Sequence, residues 1–197
     1  MTHALNAPIR SIERIGGGDI NQAARVETAQ ARCFVKWNPQ ALPRMFEVEA
    51  RGLRLLQSAQ AVRVPGVIAI LDQPAGLVLE WIDADTHVSR LESSETLGRQ
   101  LAQQHRALST AYGLDHDNYI GSNPQSNQPT ASWVDFFRDR RLGAQKELAW
   151  RNGRLHSRRA AQLERLMSHL DEWIDEESCA PSLLHGDLWG GNYLAGP

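Results

Sequence analysis

The sequence predicts a mixed α/β (α+β) fold, in which an antiparallel sheet with one helix is followed by a mostly helical remainder. Short stretches within residues 1–82 show the alternation of apolar and polar side chains that is typical of β-strands. From residue 94 onwards, apolar residues instead recur every three to four positions, as in amphipathic helices. We therefore expect two structural regions, residues 1–82 and residues 83–197.

Composition and charge limit the classes of partner. The chain of 197 residues carries 21 Lys and Arg against 23 Asp and Glu, a formal net charge of -2. This balance offers no attraction for nucleic acid or an anionic membrane. No apolar run reaches the length of a membrane span, and the N-terminus lacks a signal pattern. We expect a cytoplasmic protein with neither partner, and the oligomeric state stays open.

The chain opens with a predicted hairpin. Residues 9–15 and 23–28 read as strands, and Gly16, Gly17 and Gly18 begin the turn between them. A glycine-rich turn between two strands can close over nucleotide phosphates with its backbone N–H groups. A triple glycine is also common in a plain hairpin turn, so both interpretations stand at this point.

A lysine and a glutamate follow in an order that suits nucleotide binding. Lys36 lies on a predicted strand at residues 33–37, and a helix with an apolar face follows at residues 45–56. In kinases, such a lysine holds the phosphates and a glutamate on the next helix holds the lysine. Glu49 and Glu47 are both candidates, and Glu49 is favoured because it lies beside the apolar face. The alternatives are an edge-strand lysine and a solvated glutamate.

The last strand of the predicted sheet spans residues 77–82, after a strand near residues 67–71. In a kinase-like fold this position belongs to the hinge between two lobes. Backbone groups of Glu80 and Ile82 would then face an adenine ring, with Leu79 beside it. Three helices are predicted beyond it, at residues 94–108, 133–150 and 155–176, and the polar residues 117–127 read as a loop.

The motif with the most chemistry is Leu-Leu-His-Gly-Asp-Leu-Trp-Gly-Gly-Asn at residues 183–192. Asp187 precedes Asn192 by the interval found in the catalytic loop of protein kinases. The aspartate of such a loop meets the substrate hydroxyl, and the asparagine oxygen holds a magnesium ion on the nucleotide side. Leu183 and Leu184 predict a short buried strand that leads into the loop. Taken alone, His-Gly-Asp also fits an ordinary turn.

With Trp189 inside it, the stretch from His185 to Asn192 resembles the fructosamine kinase (ketosamine-3-kinase) family. Aminoglycoside phosphotransferases and choline kinases, which are related, usually carry another residue at the tryptophan position. Gly-Gly-Gly-Asp-Ile-Asn at residues 16–21 is also similar to the family. The resemblance implies a two-lobed, protein kinase-like fold, ATP and Mg2+ as cofactors, and phosphorylation of the 3-hydroxyl of a ketosamine. That substrate would be a fructosamine or ribulosamine on a small amine or a protein lysine, and its phosphorylation reverses glycation.

The resemblance also implies roles for individual residues. Asp187 would be the catalytic residue, and Asn192 would bind the metal. Trp189 and His185 would bind the substrate, although Trp189 could equally belong to the core of the loop. The implied nucleotide-binding residues are Gly16, Gly17, Gly18, Lys36, Glu49, Glu80 and Ile82.

Kinase-like phosphotransferases place a second metal-binding aspartate after the catalytic loop, and residues 193–197 contain none. We therefore expect a fragment that is inactive or nearly so alone, with exposed apolar helix faces. Three other functions stay open: a kinase for another small hydroxyl compound such as an aminoglycoside, choline or homoserine, a non-catalytic nucleotide-binding fragment, and an interaction domain on a decayed kinase scaffold. Intact Lys36, Asp187 and Asn192 argue against decay.

Overall fold

The computed structural model describes residue 5 and residues 7–16 and 20–196. The chain divides into two compact units, one formed by Met1–Arg106 with Leu184–Pro197 and the other by Ala107–Leu183. These units are defined by the packing within each of them and do not test a boundary between lobes. The lobe boundary expected at residue 82 therefore stays a prediction. No helix in the described part of the chain has both the length and the apolar character needed to cross a membrane.

The first unit contains a five-stranded antiparallel sheet with the order β1-β2-β3-β5-β4. All five strands were predicted, and the last one lies two residues earlier than expected. Because β3 pairs with both β2 and β5, Lys36 lies on a central strand and the edge-strand alternative is wrong. The strands are β1 Ile9–Ile15, β2 Gln22–Thr28, β3 Arg32–Trp37, β4 Val67–Asp72 and β5 Ala75–Glu80.

The two faces of this sheet carry separate apolar clusters. Successive side chains of a strand point to opposite faces, so Cys33 and Val35 join one cluster while Phe34 packs against the other. Lys36 is two residues beyond Phe34 and therefore shares its face. The first cluster is built on Val26, Cys33, Val35 and Val78. The second, which faces the helix, is built on Phe46, Ala50, Leu77 and Leu79.

Helix α1, Met45–Ser58, covers the second face of the sheet. Phe46 and Ala50 are one helical turn apart and are buried, and Leu53 packs beside them, as the apolar spacing predicted. Burial of an aromatic side chain such as Phe46 stabilises a fold by roughly 1.5–3 kcal/mol. This packing fixes the rotation of α1 about its axis, so Glu49 is half-buried while Glu47 is exposed.

Helix α2, Arg90–Gln104, begins four residues before its predicted start. The Ser89 hydroxyl accepts a hydrogen bond from the backbone N–H of Glu92 at 3.2 Å, which caps the first turn. Gln104 is its buried residue. The helix was predicted to reach Leu108 but ends at Gln104, and the Leu108 side chain is exposed.

Both helices predicted in the second unit are interrupted. Residues 136–143 form a π-helix between α3, Trp133–Asp135, and α4, Ala144–Arg151. The helix predicted at residues 155–176 divides into α5, Ser157–Met167, and α6, Leu170–Trp173. The Ser168 hydroxyl donates to the Arg165 carbonyl, and the His169 ring lies 2.7 Å from the same oxygen. These side chains compete for an acceptor that a continuing helix would need. A 3-10 turn, Glu176–Ser178, follows.

The segment predicted as a loop at residues 117–127 is a hairpin of β6, Asn118–Ile120, and β7, Asn123–Gln125. Gly121, with a φ of 60°, supplies the left-handed conformation of its two-residue turn. Asn127 closes the hairpin: its backbone N–H donates to Asp117 at 2.7 Å, and its side-chain oxygen accepts from Arg141 at 2.7 Å. The tyrosine and isoleucine before Gly121 were the sequence signal for this hairpin.

Candidate active site

Lys36 and Glu49 form an ion pair between Nζ and Oε1. The central strand aims Lys36 at the face that α1 covers, and the packing of α1 turns Glu49 towards it. The two side chains are 20% and 32% exposed. Glu47, the other candidate, instead pairs with Arg44 at 2.7 Å near the start of α1. Glu49 is therefore the helix glutamate that holds the lysine.

The glycine-rich turn lies partly outside the described residues, since Gly17 and Gly18 are not among them. Gly16 is described and follows β1, where a side chain would meet no other atom within 4 Å. Ile15 of β1 pairs with Ala23 of β2, and Ala23 pairs with Lys36 of β3. The turn between β1 and β2 therefore starts at the level of the sheet where Lys36 lies.

Glu80, at the end of β5, is fixed by bonds to the segment before β4. Its backbone N–H donates to the Gly66 carbonyl at 2.8 Å. Its carboxylate accepts from the Gly66 N–H at 3.1 Å and from Arg63 at 2.9 Å. The bond from Gly66, followed by the one from Arg63, holds the pKa of Glu80 below its ordinary value. Since the backbone N–H of Glu80 already donates to Gly66, a hydrogen bond between Glu80 and a purine would have to use the backbone carbonyl oxygen of Glu80.

The residues after β5 are held to the sheet by Asp83, a residue that the sequence analysis missed. Both of its carboxylate oxygens accept from Arg32 on β3, at 2.9 and 2.6 Å, and Trp81 Nε1 donates to Oδ1 at 2.8 Å. The Trp81 bond, followed by the Arg32 bonds, lowers the pKa of Asp83. Arg25 of β2 lies 5.6 Å from the centre of the Trp81 ring. In the chain, Ile82 thus lies between Trp81 and Asp83, whose side chains are held by these bonds.

The Asp187–Asn192 loop is held by bonds within itself. Asn192 Nδ2 donates to the Asp187 backbone oxygen at 2.7 Å and to Asp187 Oδ2 at 3.2 Å. The Asp187 N–H donates to His185 Nδ1 at 3.3 Å, next to Gly186 with its φ of 86°. The predicted strand at Leu183 and Leu184 is absent, because pairing in this segment is limited to an isolated bridge at the preceding serine. Leu184 is accordingly exposed.

Trp189 starts a four-residue turn inside this loop. The Asn192 N–H donates to the Trp189 carbonyl at 2.9 Å, with two glycines between them. Trp189 is 61% exposed, so the alternative that it is a core residue of the loop is disfavoured. After the loop, the Ala195 carbonyl accepts from the Asp85 N–H at 2.8 Å. This bond ties the end of the loop to the residues that follow Asp83.

The side-chain oxygen atoms of the Asp187–Asn192 loop are suitable ligands for an Mg2+ ion bound together with a nucleotide. Within the described residues, no group of three or more His, Cys, Asp or Glu side chains could hold a metal ion. Both contacts of the Asn192 side chain use Nδ2, which leaves Oδ1 for a cation, and Asp187 supplies a neighbouring carboxylate. Mg2+ in kinases takes one or two such protein ligands and completes its coordination with water and phosphate oxygens.

Comparison with known proteins identifies the family. The family model described as fructosamine kinase matches residues 1–196. A chloroplastic protein-ribulosamine 3-kinase of rice, Oryza sativa subsp. japonica, is 37% identical over 198 residues, which is 98% of this chain and 56% of the rice protein. This chain therefore spans little more than half the length of that relative.

Solved structures agree on the architecture. A Thermobifida fusca YX-ER1 protein, provisionally described as a fructosamine-3-kinase, superposes with a TM-score of 0.87 and 29% identity, covering 98% of this chain and 67% of that one. An aminoglycoside phosphotransferase at 13% identity and a TM-score of 0.55, covering 87% of this chain and 57% of its own, shows the fold alone. The chain thus has a protein kinase-like fold, the predicted resemblance is confirmed, and the chain belongs to the fructosamine kinase family.

Proposed function

We propose that the complete protein transfers the γ-phosphoryl group of ATP to the 3-hydroxyl of a ketosamine. The acceptor is a fructosamine or ribulosamine carried by a small amine or by a protein lysine. The observation that carries this proposal is the Lys36–Glu49 ion pair, formed in the same unit that holds the Asp187–Asn192 loop. The rice relative, named a protein-ribulosamine 3-kinase, supports the choice of acceptor.

In this proposal the sheet and α1 bind the nucleotide. Glu49 fixes the Lys36 ammonium group, which then serves as a positioned charge for the phosphates. The turn that begins with Gly16, Gly17 and Gly18 covers the phosphates with backbone N–H groups. The carbonyl of Glu80 and the backbone of Ile82 face the adenine ring, in a segment that Asp83 holds in place.

The loop carries out the transfer. Asn192 holds Asp187 Oδ2, which leaves Oδ1 to accept a hydrogen bond from the acceptor hydroxyl. The oxygen of the acceptor hydroxyl forms a bond to the γ-phosphorus, while the bond between the γ-phosphorus and the oxygen that bridges it to ADP breaks. The hydroxyl proton passes to Asp187. Bound Mg2+ would neutralise charge on the phosphates, with Asn192 Oδ1 as its ligand from this loop.

Trp189 and His185 contribute to acceptor binding in different ways. The exposed indole ring of Trp189 offers an aromatic face to the apolar C–H face of a sugar. The His185 ring accepts from the Asp187 N–H, so its contribution to the substrate site includes shaping the backbone beneath the catalytic carboxylate.

The cytoplasmic location also remains a proposal.

A substrate panel tests this function. The complete gene product is incubated with ATP, Mg2+ and one acceptor at a time: fructosyl-lysine, ribulosyl-lysine, an aminoglycoside, choline or homoserine. We expect turnover with a ketosamine, and phosphorus NMR of the product should place the phosphate on carbon 3. Turnover confined to another acceptor would assign a different kinase activity. Saturable ATP binding without turnover on any acceptor would assign a non-catalytic role.

A further inference from the structure

Gly191 lies directly against the ring of Trp189. A β-carbon built on Gly191 would lie 2.4 Å from Cη2 and 2.6 Å from Cζ2 of the indole, a separation that β-carbons essentially never show. Gly191 is not among the described glycines with a positive φ, so the requirement here is space and not backbone conformation. The ring occupies its position because residue 191 has no side chain.

The other glycines of the loop differ from Gly191. Gly186 has a φ of 86°, which a residue with a side chain rarely adopts. Gly190 neighbours Gly191 in the same turn, and outside its chain neighbours Trp189 and Gly191 a β-carbon there would meet no atom within 4 Å. The turn therefore contains two adjacent glycines, and a β-carbon on Gly191 would collide with the indole ring whereas one on Gly190 would meet no residue beyond its two neighbours in the chain.

We propose that Gly191 is a positioning residue that seats the Trp189 ring on the loop and so makes the outer face of the ring a fixed platform for the acceptor sugar. The proposal rests on the proposed function, since it takes a ketosamine as the acceptor. The six-membered part of the ring lies against Gly191, and Trp189 as a whole remains 61% exposed. A ring that is already ordered loses less conformational entropy when a ligand binds.

The same turn links this platform to the proposed reaction centre. The Trp189 carbonyl accepts from the Asn192 N–H, and Asn192 in turn holds Asp187. The platform thus has a fixed position along the loop relative to the carboxylate that would receive the acceptor hydroxyl. A sugar that rests on the indole face is thereby bound beside this carboxylate.

The conflict at residue 191 can be relieved without unfolding. The atoms that a β-carbon would strike are the far end of an exposed side chain and not backbone. In Gly191→Ala the ring swings into solvent while the bonds between Asn192 and Asp187 remain. The cost should therefore fall on acceptor binding, and loss of an ordered aromatic contact corresponds to roughly a tenfold effect.

Kinetics of matched variants test the proposal in the complete gene product. Gly191→Ala should raise KM for the ketosamine about tenfold and leave kcat and KM for ATP within about twofold, while Gly190→Ala leaves all three unchanged. In a Trp189→Ala background, Gly191→Ala should add nothing further. Equal effects of the two glycine variants, or an additive effect in the Trp189→Ala background, would overturn the proposal.

A spectroscopic measurement separates this proposal from the proposed function. The protein is labelled with fluorotryptophan, and the Trp189 fluorine resonance is identified from its loss in Trp189→Phe. In Gly191→Ala this resonance should move towards that of free tryptophan and sharpen, and in Gly190→Ala it should not move. An unmoved resonance in Gly191→Ala overturns the role of Gly191 whatever the activity. A moved resonance in a protein that phosphorylates no ketosamine leaves the seating intact and overturns the platform for a ketosamine.

Discussion

Lys36 and Asp187, which carry the two largest proposed roles, are held in place in opposite ways. Lys36 lies on the central strand of a sheet, and its partner Glu49 comes from a helix that packs on an apolar cluster. Asp187 is exposed and is held by bonds to Asn192 and His185, which belong to its own loop. One site is built by the packing of the fold, and the other by short-range hydrogen bonds.

This difference predicts how each site responds to change. Around Lys36, Leu77 and Ala50 are fully buried, so the geometry persists without a ligand. Along the loop, Leu188 and Leu194 are exposed, so few apolar contacts oppose local opening. Changes near Lys36 should affect both stability and nucleotide binding. Changes in the loop should affect catalysis with little effect on stability.

The largest expected effect is that of Asp187→Asn. The substitution removes the carboxylate that would accept the hydroxyl proton, and general acid–base groups contribute roughly 100- to 10,000-fold to rate. We expect kcat to fall by that range, while the melting temperature and ATP affinity stay unchanged because the side chain is exposed. A variant that loses stability, or that keeps at least a tenth of the activity, would contradict the comparison.

We expect smaller effects from Lys36→Met, which should change both stability and ATP binding. The variant loses the proposed phosphate contact and leaves a half-buried Glu49 without its partner, which costs about 1–3 kcal/mol of unfolding free energy. Urea unfolding should show this loss, and calorimetry should show weaker ATP binding. Adding Glu49→Gln should recover much of the stability and none of the ATP affinity.

The matched control for that pair lies on the same helix. Glu47 forms an ion pair with Arg44 in which both side chains are largely exposed, and exposed pairs contribute little. Glu47→Gln should therefore change neither the urea midpoint nor ATP binding. Equal losses in Glu47→Gln and Glu49→Gln would show that the position of Glu49 between helix and sheet has no special value.

The smallest effect concerns acid, at the segment after β5. Hydrogen bonds lower the pKa of Asp83 below the usual 3.8, with Trp81 as the largest contributor and Arg32 next. A carboxyl with a lower pKa in the folded state stabilises the fold above its unfolded pKa, and this contribution is lost as pH falls through the folded pKa. Asp83→Asn should therefore reduce the loss of stability between pH 5 and about pH 3 in urea unfolding. An unchanged pH dependence would mean that the bonds from Trp81 and Arg32 to Asp83 do not persist in solution.

Sequence reasoning succeeded where local periodicity determines the structure. The five strands follow from short apolar or alternating stretches bounded by turn residues, and α1 follows from the helical spacing of its apolar residues. The Lys36–Glu49 pair was predicted from the order of a strand lysine and a helix glutamate, as in kinases, and the period of the strand explains why Lys36 lies on the face that α1 covers. Glu49 was favoured over Glu47 for its position beside the apolar face of the helix, together with the resemblance of its segment to the family.

It failed where the answer depends on particular side-chain contacts and not on the periodicity of the sequence. The Asp83 network joins the end of β5 to β2 and β3, and its partners follow from strand order, which the sequence does not display. The break after α5 depends on side chains that compete for one carbonyl of Arg165. The contact between Gly191 and Trp189 depends on a side-chain rotamer, so the sequence showed a pair of glycines without distinguishing them.

The most direct test of the account is a crystal structure of the complete protein with a non-hydrolysable ATP analogue, Mg2+ and a ketosamine. The account predicts phosphates at Lys36 Nζ, the metal at Asn192 Oδ1, and the 3-hydroxyl about 2.6–3.2 Å from the Asp187 carboxylate. A nucleotide bound away from Lys36, or another hydroxyl facing Asp187, would contradict it.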